Sequence, residues 1–149
     1  MIIREVTEED MPQVLEIERE AISPPWTHGA LLRDIYNNDS FFIGCFADNV
    51  LLGFAIFRRA ADEGELLQIA VDKAARRRGA ADMLMSETLD RARGAGVDRA
   101  YLEVRKSNDA AIGLYIKHGF TFSGVRRNYY ADPVEDAAVM KLGTLSRTP

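Results

Sequence analysis

Two side chains that could transfer protons stand twelve residues apart, on either side of a short polar turn. Glu103 lies in the apolar segment 99–104, and Tyr115 follows in a short helical segment that Asn108 can cap. Because side chains alternate along a strand, Glu103 is expected to point away from its two apolar neighbours. An acid near the carboxyl end of a strand lies where open α/β sheets bind ligands. Such a carboxylate and phenol could serve as two proton-transfer groups.

Both residues also have an ordinary structural interpretation. Glu103 could be a solvent-facing charge on a strand. Tyr115 follows Ile112 by three residues on the same helical face, so it could be a core aromatic. Taken singly, neither residue decides between these interpretations.

A third chemical feature is the basic loop Arg76-Arg77-Arg78-Gly79, which runs into a helix at Ala80, Ala81 and Asp82. The first N–H groups of a helix are unpaired and carry partial positive charge, so they bind phosphate readily. Glycine allows close approach of the backbone, and arginines add forked donors. The loop therefore predicts a pyrophosphate site, with a solvated basic turn as the alternative. It lacks the glycine pattern of a P-loop or a dinucleotide-binding turn.

The periodicity of apolar residues predicts the elements that position these groups. Helical spacing and turn signals predict four helices, and short β-branched or alternating runs predict seven strands. The predicted helices are 8–21, 27–37, 80–95 and one that ends near residue 118; the predicted strands are 2–6, 41–47, 51–59, 65–71, 99–104, 120–125 and 137–142. Strands both alternate with helices and pair as hairpins, which indicates a mixed sheet with helices on its faces, an α/β or α+β fold.

Composition narrows the class of protein. A length of 149 residues predicts one domain over residues 1–149. The single cysteine, Cys45, fits a reducing compartment and a small buried side chain. A net charge of −4 argues against nucleic-acid binding, and no apolar run has the length of a membrane span. Acids near the N-terminus argue against a secretory signal, so a cytoplasmic location is expected. No cluster has the spacing of metal ligands, so no metal is expected.

Together, these motifs resemble the GNAT N-acetyltransferase superfamily. Arg76, Gly79 and Ala81 fit its Gln/Arg-x-x-Gly-x-Gly/Ala loop. Within the superfamily the chain is similar to the RimI-type branch, which acetylates the N-terminal alanine of a small-subunit ribosomal protein. The segments that carry this likeness are SPPW at 23–26, IAVD at 69–72, LEVRKSN at 102–108, AAIGLY with GF at 110–120, RRNYY at 126–130 and EDAAVM at 135–140.

The resemblance implies a GNAT-like central sheet, mixed but mostly antiparallel, with helices on both faces, and acetyl-CoA as co-substrate. Glu103 would be the general base and Tyr115 the general acid. The implied cofactor-binding residues are Ile69, Ala70, Val71, Arg76, Arg77, Arg78, Gly79, Ala80, Ala81, Asp82 and Asn108. Trp26, Tyr129 and Tyr130 would line the groove for the acceptor, an N-terminal peptide of a protein, possibly ribosomal.

Two departures from the family pattern concern the phosphate loop. Ala80-Ala81 replaces a pair that commonly contains glycine, and Asp82 places a negative charge where the family often has arginine. Two other functions stay open beside the N-terminal acetyltransferase, and the departures at Ala80 and Asp82 suggest only the second of them. One is a GNAT enzyme that acts on a small-molecule amine or a lysine side chain, and the other is a non-catalytic acetyl-CoA binder.

Overall fold

A computed structural model describes residues 1–145 of the chain. Two 3-10 turns, at Glu8–Asp10 and Lys73–Ala75, precede helical segments. The four helices are α1 Met11–Ala21, α2 His28–Tyr36, α3 Ala80–Gly94 and α4 Asp109–Lys117. The seven strands are β1 Ile2–Glu5, β2 Ser40–Ala47, β3 Val50–Ala60, β4 Glu63–Val71, β5 Arg99–Arg105, β6 Thr121–Ala131 and β7 Val134–Leu142.

The strands form one seven-stranded sheet in the order β1-β2-β3-β4-β5-β7-β6. Every neighbouring pair is antiparallel except β4 and β5, which are parallel and are joined through α3. A parallel connection needs a crossover, and a helix is the usual one. The mixed, mostly antiparallel sheet predicted from the sequence is therefore confirmed.

The two faces of the sheet carry separate apolar cores. Val14 of α1 and Leu31 of α2 pack on one face with the rings of Phe42 and Phe54. A second cluster covers the other face with buried residues of α3 and α4, among them Leu84. Cys45 has no exposed surface and belongs to this second core, as the sequence predicts. Helices thus cover both faces, which confirms the predicted layering.

The parallel pair β4–β5 is joined for only part of its length. Its register runs from Glu63 opposite Arg99 to Leu66 opposite Leu102, although β4 continues to Val71 and β5 to Arg105. On its other side β4 stays paired with β3 as far as Val71, across a bulge that leaves Leu67 out of register. The two strands therefore separate at their carboxyl ends and open a gap in the middle of the sheet.

Most predicted boundaries agree with the structure within two residues, and three do not. Helix α1 begins at Met11, after a 3-10 turn, and not at residue 8; β7 begins at Val134 and not at residue 137; the end of β6 differs most. Strand β6 was predicted to end at residue 125 but continues to Ala131, through the RRNYY segment. Two irregularities in its pairing with β7 and a positive φ of 52° at Asn128 interrupt the alternation along this strand. The aromatic residues of this segment consequently lie on a hairpin and not in a loop. Among the described helices, none is long and apolar enough to cross a membrane.

Candidate active site

A cavity of about 530 Å³ occupies the gap where β4 and β5 separate. Its walls come from five segments: residues 21–26 after α1, residues 65–69 of β4, residues 103–105 of β5, the first two turns of α4, and the tyrosines of β6. The cavity therefore reaches both faces of the sheet. It brings together Glu103, Asn108 and Tyr115, as the sequence predicts.

Glu103 faces the cavity because of the alternation along β5. Its neighbours Leu102 and Val104 are buried in the α3–α4 core, whereas Glu103 points to the opposite face. One carboxylate oxygen, Oε1, lies 3.6 Å from Nε of Arg126. The other, Oε2, is buried and has no hydrogen-bond partner in the described part of the chain. A carboxylate with an unused lone pair beside a cavity is chemically suited to accept a proton.

Tyr115 is both a packed aromatic and a cavity residue. Its side chain is 7% exposed, and its ring meets Phe120 edge-on with centroids 6.1 Å apart. Its hydroxyl makes no hydrogen bond to residues 1–145. Burial raises the pKa of Tyr115 well above its usual range, so the phenol keeps its proton. The alternative that Tyr115 is a core residue is thus correct for the ring, while the residue also lines the cavity.

Asn108 begins α4 and lies at the cavity wall. Its Oδ1 accepts a hydrogen bond from the Ala111 N–H at 3.2 Å, which confirms the predicted helix cap. The cap turns the chain sharply after β5 and starts α4 beside the gap. In this way it places Tyr115, two turns along the helix, against the same cavity.

The predicted phosphate loop lies at the start of α3. The backbone of Arg77 has φ +66° and that of Gly79 has φ +87°, so two left-handed residues shape the turn that leads into α3. No side chain caps α3, and a Cβ placed on Gly79 would meet no atom within 4 Å. The side chains of Arg76, Arg77 and Arg78 are exposed. The helix end is thus open to an anion.

Asp82 does not stand alone at this helix end. Its carboxylate lies 3.0 Å from Nζ of Lys117 and 3.0 Å from Nε2 of His118, both at the end of α4. These contacts, that of His118 above all, hold the pKa of Asp82 below its usual range. The charge that departs from the family pattern is therefore directed at α4 and connects the beginning of α3 to the end of α4.

A second acid at the cavity was not identified from the sequence. Glu65 lies on β4, where parallel pairing places it opposite Tyr101 and diagonal to Glu103. Burial first, and then the charge of Glu103, raise the pKa of Glu65. Strand alternation could have indicated its face, but its proximity to Glu103 depends on which two strands are neighbours.

The aromatic residues predicted for the acceptor groove all line the cavity. Tyr129 and Tyr130 meet at right angles with ring centroids 5.1 Å apart, and Trp26 lines the same cavity. Interaction with the Glu103 carboxylate is the main cause that raises the pKa of Tyr129. Burial raises the pKa of Tyr130 to about 12. Both phenols therefore remain neutral beside the acid.

Arg105 joins the two walls that carry these aromatic residues, a role that the sequence analysis missed. Its guanidinium donates to the carbonyl oxygens of Ser23 at 2.9 Å, Asp132 at 3.1 Å and Pro133 at 2.9 Å. Ser23 Oγ also donates to Asp132 O at 2.9 Å. The segment after α1 and the β6–β7 turn are thus connected above the cavity.

Comparison with known proteins decides the family. The family model described as "Acetyltransferase (GNAT) family" matches residues 9–120. The chain belongs to the GNAT acetyltransferase family. Among its relatives is the [ribosomal protein bS18]-alanine N-acetyltransferase of Salmonella typhimurium, 38% identical over 138 residues that cover 89% of this chain and 90% of that protein. The N-alpha-acetyltransferase RimI of Mycobacterium tuberculosis is 35% identical over 142 residues, covering 91% and 88%.

The fold of this chain is also similar to that of a solved N-acetyltransferase structure. The crystal structure of the ribosomal-protein-S18-alanine N-acetyltransferase from Escherichia coli matches with a TM-score of 0.88 and 33% identity, over 96% of this chain and 93% of that one. The protein is therefore an acetyl-CoA-dependent N-acetyltransferase, since GNAT enzymes take the acetyl group from acetyl-CoA.

The residues present fit the acetyl-CoA of a GNAT enzyme on two observations. The open start of α3 offers unpaired N–H groups and exposed arginines to a pyrophosphate. The edge of β4 beyond Leu66 is not paired with β5, so its backbone can accept an extended ligand. Residues 1–145 contain no group of His, Cys, Asp and Glu side chains that could hold a metal ion.

Proposed function

We propose that this protein acetylates the N-terminal α-amine of another protein, with alanine as the first residue and a small-subunit ribosomal protein of the bS18 type as the acceptor. The names of the relatives support this acceptor. The observation that carries the proposal is the cavity in the β4–β5 gap, which joins Glu103 and Tyr115 to a groove walled by Trp26 and two tyrosines.

For acetyl-CoA we propose two binding regions. The backbone of Ile69, Ala70 and Val71 would pair with the extended arm beside the gap. The pyrophosphate would be held by the loop and first turn of α3, which consist of Arg76, Arg77, Arg78, Gly79, Ala80, Ala81 and Asp82. Asn108 would contact the cofactor near its thiol end. When bound, acetyl-CoA supplies an acetyl thioester whose carbonyl carbon accepts the amine.

Glu103 is proposed as the general base. An α-amine has a pKa near 8, so about a tenth of it is already neutral at pH 7. The neutral fraction of a lysine side chain, with a pKa of about 10.4, is far smaller. A carboxylate can therefore complete the deprotonation, directly or through one water. The unpartnered Oε2 of Glu103 supports this role, and the nearby acid Glu65 adds attraction for a cationic amine.

Tyr115 is proposed as the general acid. As the C–S bond breaks, its electron pair goes to the sulfur, whose thiol form has a pKa on the order of 8.5 by analogy with cysteine. A positioned donor can neutralise this charge by giving the sulfur a proton. The position of Tyr115 supports this role, since its hydroxyl is not engaged by residues 1–145 and α4 places the residue at the cavity. No covalent enzyme intermediate is required, since the amine attacks the thioester directly.

Trp26, Tyr129 and Tyr130 are proposed to contact the first residues of the acceptor peptide. All three line the cavity, and the contacts of Arg105 hold their two supporting segments at a fixed separation. A groove of fixed width favours a small first side chain. Its acids suit the positive charge of an N-terminus.

Thiol release from acetyl-CoA tests the proposal. We would compare hexapeptides that differ only in the first residue, the same peptides with a blocked N-terminus, free lysine, and a set of small amines. Fast release with alanine-first peptides, abolished by blocking, is expected. Thiol release with small amines or lysine alone would agree with a GNAT acetyltransferase but refute the proposed acceptor. Binding of acetyl-CoA without any thiol release would refute catalysis.

A further inference from the structure

A buried acid stands behind the cavity and is not used by the proposed chemistry. Glu18 lies on α1 with no exposed surface. Its Oε2 accepts two hydrogen bonds of 2.9 Å, one from the Trp26 backbone N–H and one from Nε2 of Gln68 on β4. Both partners line the cavity, so this one side chain contacts two of its walls.

Gln68 is held on the sheet face that α1 covers. The bulge at Leu67 brings Gln68 opposite Ile56 and directs it toward α1, with only 7% of its surface exposed. Its amide nitrogen is committed to Glu18. Its amide oxygen, Oε1, is buried and has no hydrogen-bond partner among the described residues.

Glu18 also has one carboxylate oxygen without a hydrogen-bond donor. Its Oε1 is also buried without a partner among residues 1–145. Buried polar atoms are nearly always hydrogen-bonded, because leaving one unpaired costs free energy. Glu18 Oε1 and Gln68 Oε1 can both accept a hydrogen bond but have no donor, although the two side chains already share one hydrogen bond. One added proton on the carboxyl group, carried on Oε1, would supply the missing donor.

We propose that Glu18 is held as a neutral carboxylic acid that donates to Gln68 Oε1 and thereby positions Gln68 and Trp26 as two walls of the acceptor groove. The carboxyl and amide groups would then form a ring of two hydrogen bonds, Oε1–H to Gln68 Oε1 and Gln68 Nε2–H to Glu18 Oε2. The same Oε2 still accepts from Trp26. Every polar atom of the pair is satisfied. The groove assignment in this inference rests on the proposed function.

The surroundings of Glu18 favour its neutral form. Burial raises the pKa of Glu18, although the hydrogen bonds from Trp26 and Gln68 partly oppose the shift. The groups that contact it, a backbone N–H in the segment after α1 and an amide on β4, carry no charge. In the described part of the chain Glu18 makes no ion pair that would stabilise a carboxylate.

Glu18→Gln and Glu18→Ala separate this positioning role from simple packing. A glutamine can form the same ring, because its amide nitrogen donates to Gln68 Oε1 and its oxygen accepts from Gln68 and Trp26. An alanine can form none of these bonds. Trp26 is the one tryptophan of the sequence, so its fluorescence reports directly on the wall that it belongs to.

We expect Glu18→Gln to match the wild type in emission maximum, in acrylamide quenching and in both KM values. Glu18→Ala is expected to shift the emission to the red, to increase quenching, and to raise the peptide KM about fivefold or more while the acetyl-CoA KM stays within about twofold. The matched control is Val14→Ala, a buried residue one turn earlier on α1, which is expected to lower Tm without any of these changes.

The outcomes that overturn the inference are distinct. Glu18→Gln behaving like Glu18→Ala would show that the charge is required, and unchanged Trp26 fluorescence in Glu18→Ala would refute the positioning. Equal effects of Val14→Ala on the peptide KM would reduce the role to packing. The expected fluorescence changes without any change in peptide KM would uphold the positioned wall and refute its place in an acceptor groove.

A second measurement serves if Glu18→Ala does not fold. An acid whose folded pKa is raised stabilises the fold fully below its unfolded pKa, and this contribution is lost as pH rises through the folded pKa. The Tm of the wild type relative to Glu18→Gln is therefore expected to fall as pH rises from about 4 to about 9. A relative Tm that rises over the same range would show a buried carboxylate and overturn the inference.

Discussion

The guanidinium carbon of Arg105 lies 4.4 Å from the centre of the Tyr130 ring, and the same guanidinium donates to the carbonyl oxygen of Ser23 at 2.9 Å. One side chain at the end of β5 therefore contacts an aromatic residue of β6 and the segment that leads to Trp26. Glu103 precedes it by two residues on the same strand face. The base proposed for the reaction and the residue that fixes the groove are thus carried by one short piece of backbone.

Arg105→Met should widen the groove, because three carbonyl oxygens lose a charged donor while most of the side-chain volume remains. We expect a loss of about 1–2 kcal/mol in peptide binding, which is roughly a 5- to 30-fold rise in peptide KM, with the acetyl-CoA KM nearly unchanged. Steady-state kinetics with each substrate varied in turn measure both. Arg99→Met on the same strand is the control, since the ion pairs that Arg99 forms within residues 1–145 are with Asp62 and Glu63 at the protein surface. Equal effects of the two variants would contradict the prediction.

Glu103→Gln should lower kcat by about 10²- to 10⁴-fold, because the amide cannot accept the proton of the amine. Acetyl-CoA binding, measured by calorimetry, should change little. Glu65→Gln is the matched control, as it removes a neighbouring acid from the same cavity. A smaller loss is expected there. If kcat falls more in Glu65→Gln and stays normal in Glu103→Gln, the general base is Glu65 on β4 and not Glu103 on β5.

Tyr115→Phe should lower kcat by about 10²-fold while Tm stays the same. The ring keeps its edge-on contact with Phe120, and the hydroxyl makes no hydrogen bond to the described residues that the fold would lose. Tyr101→Phe on β5 provides a control that removes a hydroxyl away from the α4 wall. A normal kcat in Tyr115→Phe would exclude the phenol as the proton donor.

Asp82→Asn should lower Tm slightly near neutral pH, because it removes the ion pair with Lys117 and the contact with His118. The pKa of Asp82 is lowered in the fold, so its contribution is present above the unfolded pKa of about 3.9 and is lost as pH falls through the folded pKa. The pair is partly exposed, so we expect a difference of about 1–3 °C that disappears in acid. Thermal unfolding across pH measures it, and a difference that persists at low pH would contradict this account.

The sequence was sufficient to predict the elements and the face on which Glu103 lies. Alternation along 99–104 and the cap at Asn108 are local patterns, and both are confirmed. The position of the basic loop before α3 was predicted for a similar reason, since an Arg/Gly loop that runs into a helix can be recognised within one stretch of sequence. The φ of +66° at Arg77 was not, because a non-glycine residue in that region is stabilised by its surroundings and not by its own type.

The remaining site residues depend on contacts between segments far apart in sequence. Glu65 becomes important only because β4 lies beside β5 in parallel, and Arg105 only because the segment after α1 and the β6–β7 turn meet above it. Glu18 occupies an apolar position of an amphipathic helix, where a charged residue type predicts exposure. Its burial follows from two partners, Gln68 and Trp26, that no local pattern connects to it.

The pairing between β4 and β5 stops at Leu66 and Leu102, so the sheet of the free protein contains a gap between these strands. In the described part of the chain the backbone from Leu67 to Val71 is not paired with β5, so an extended ligand that lies along it can hydrogen-bond to it as an added strand. In the proposed binding mode, acetyl-CoA or coenzyme A in this gap would add its binding free energy to the stability of the fold. Resistance to heat and to proteolysis would then report how much coenzyme the protein has bound.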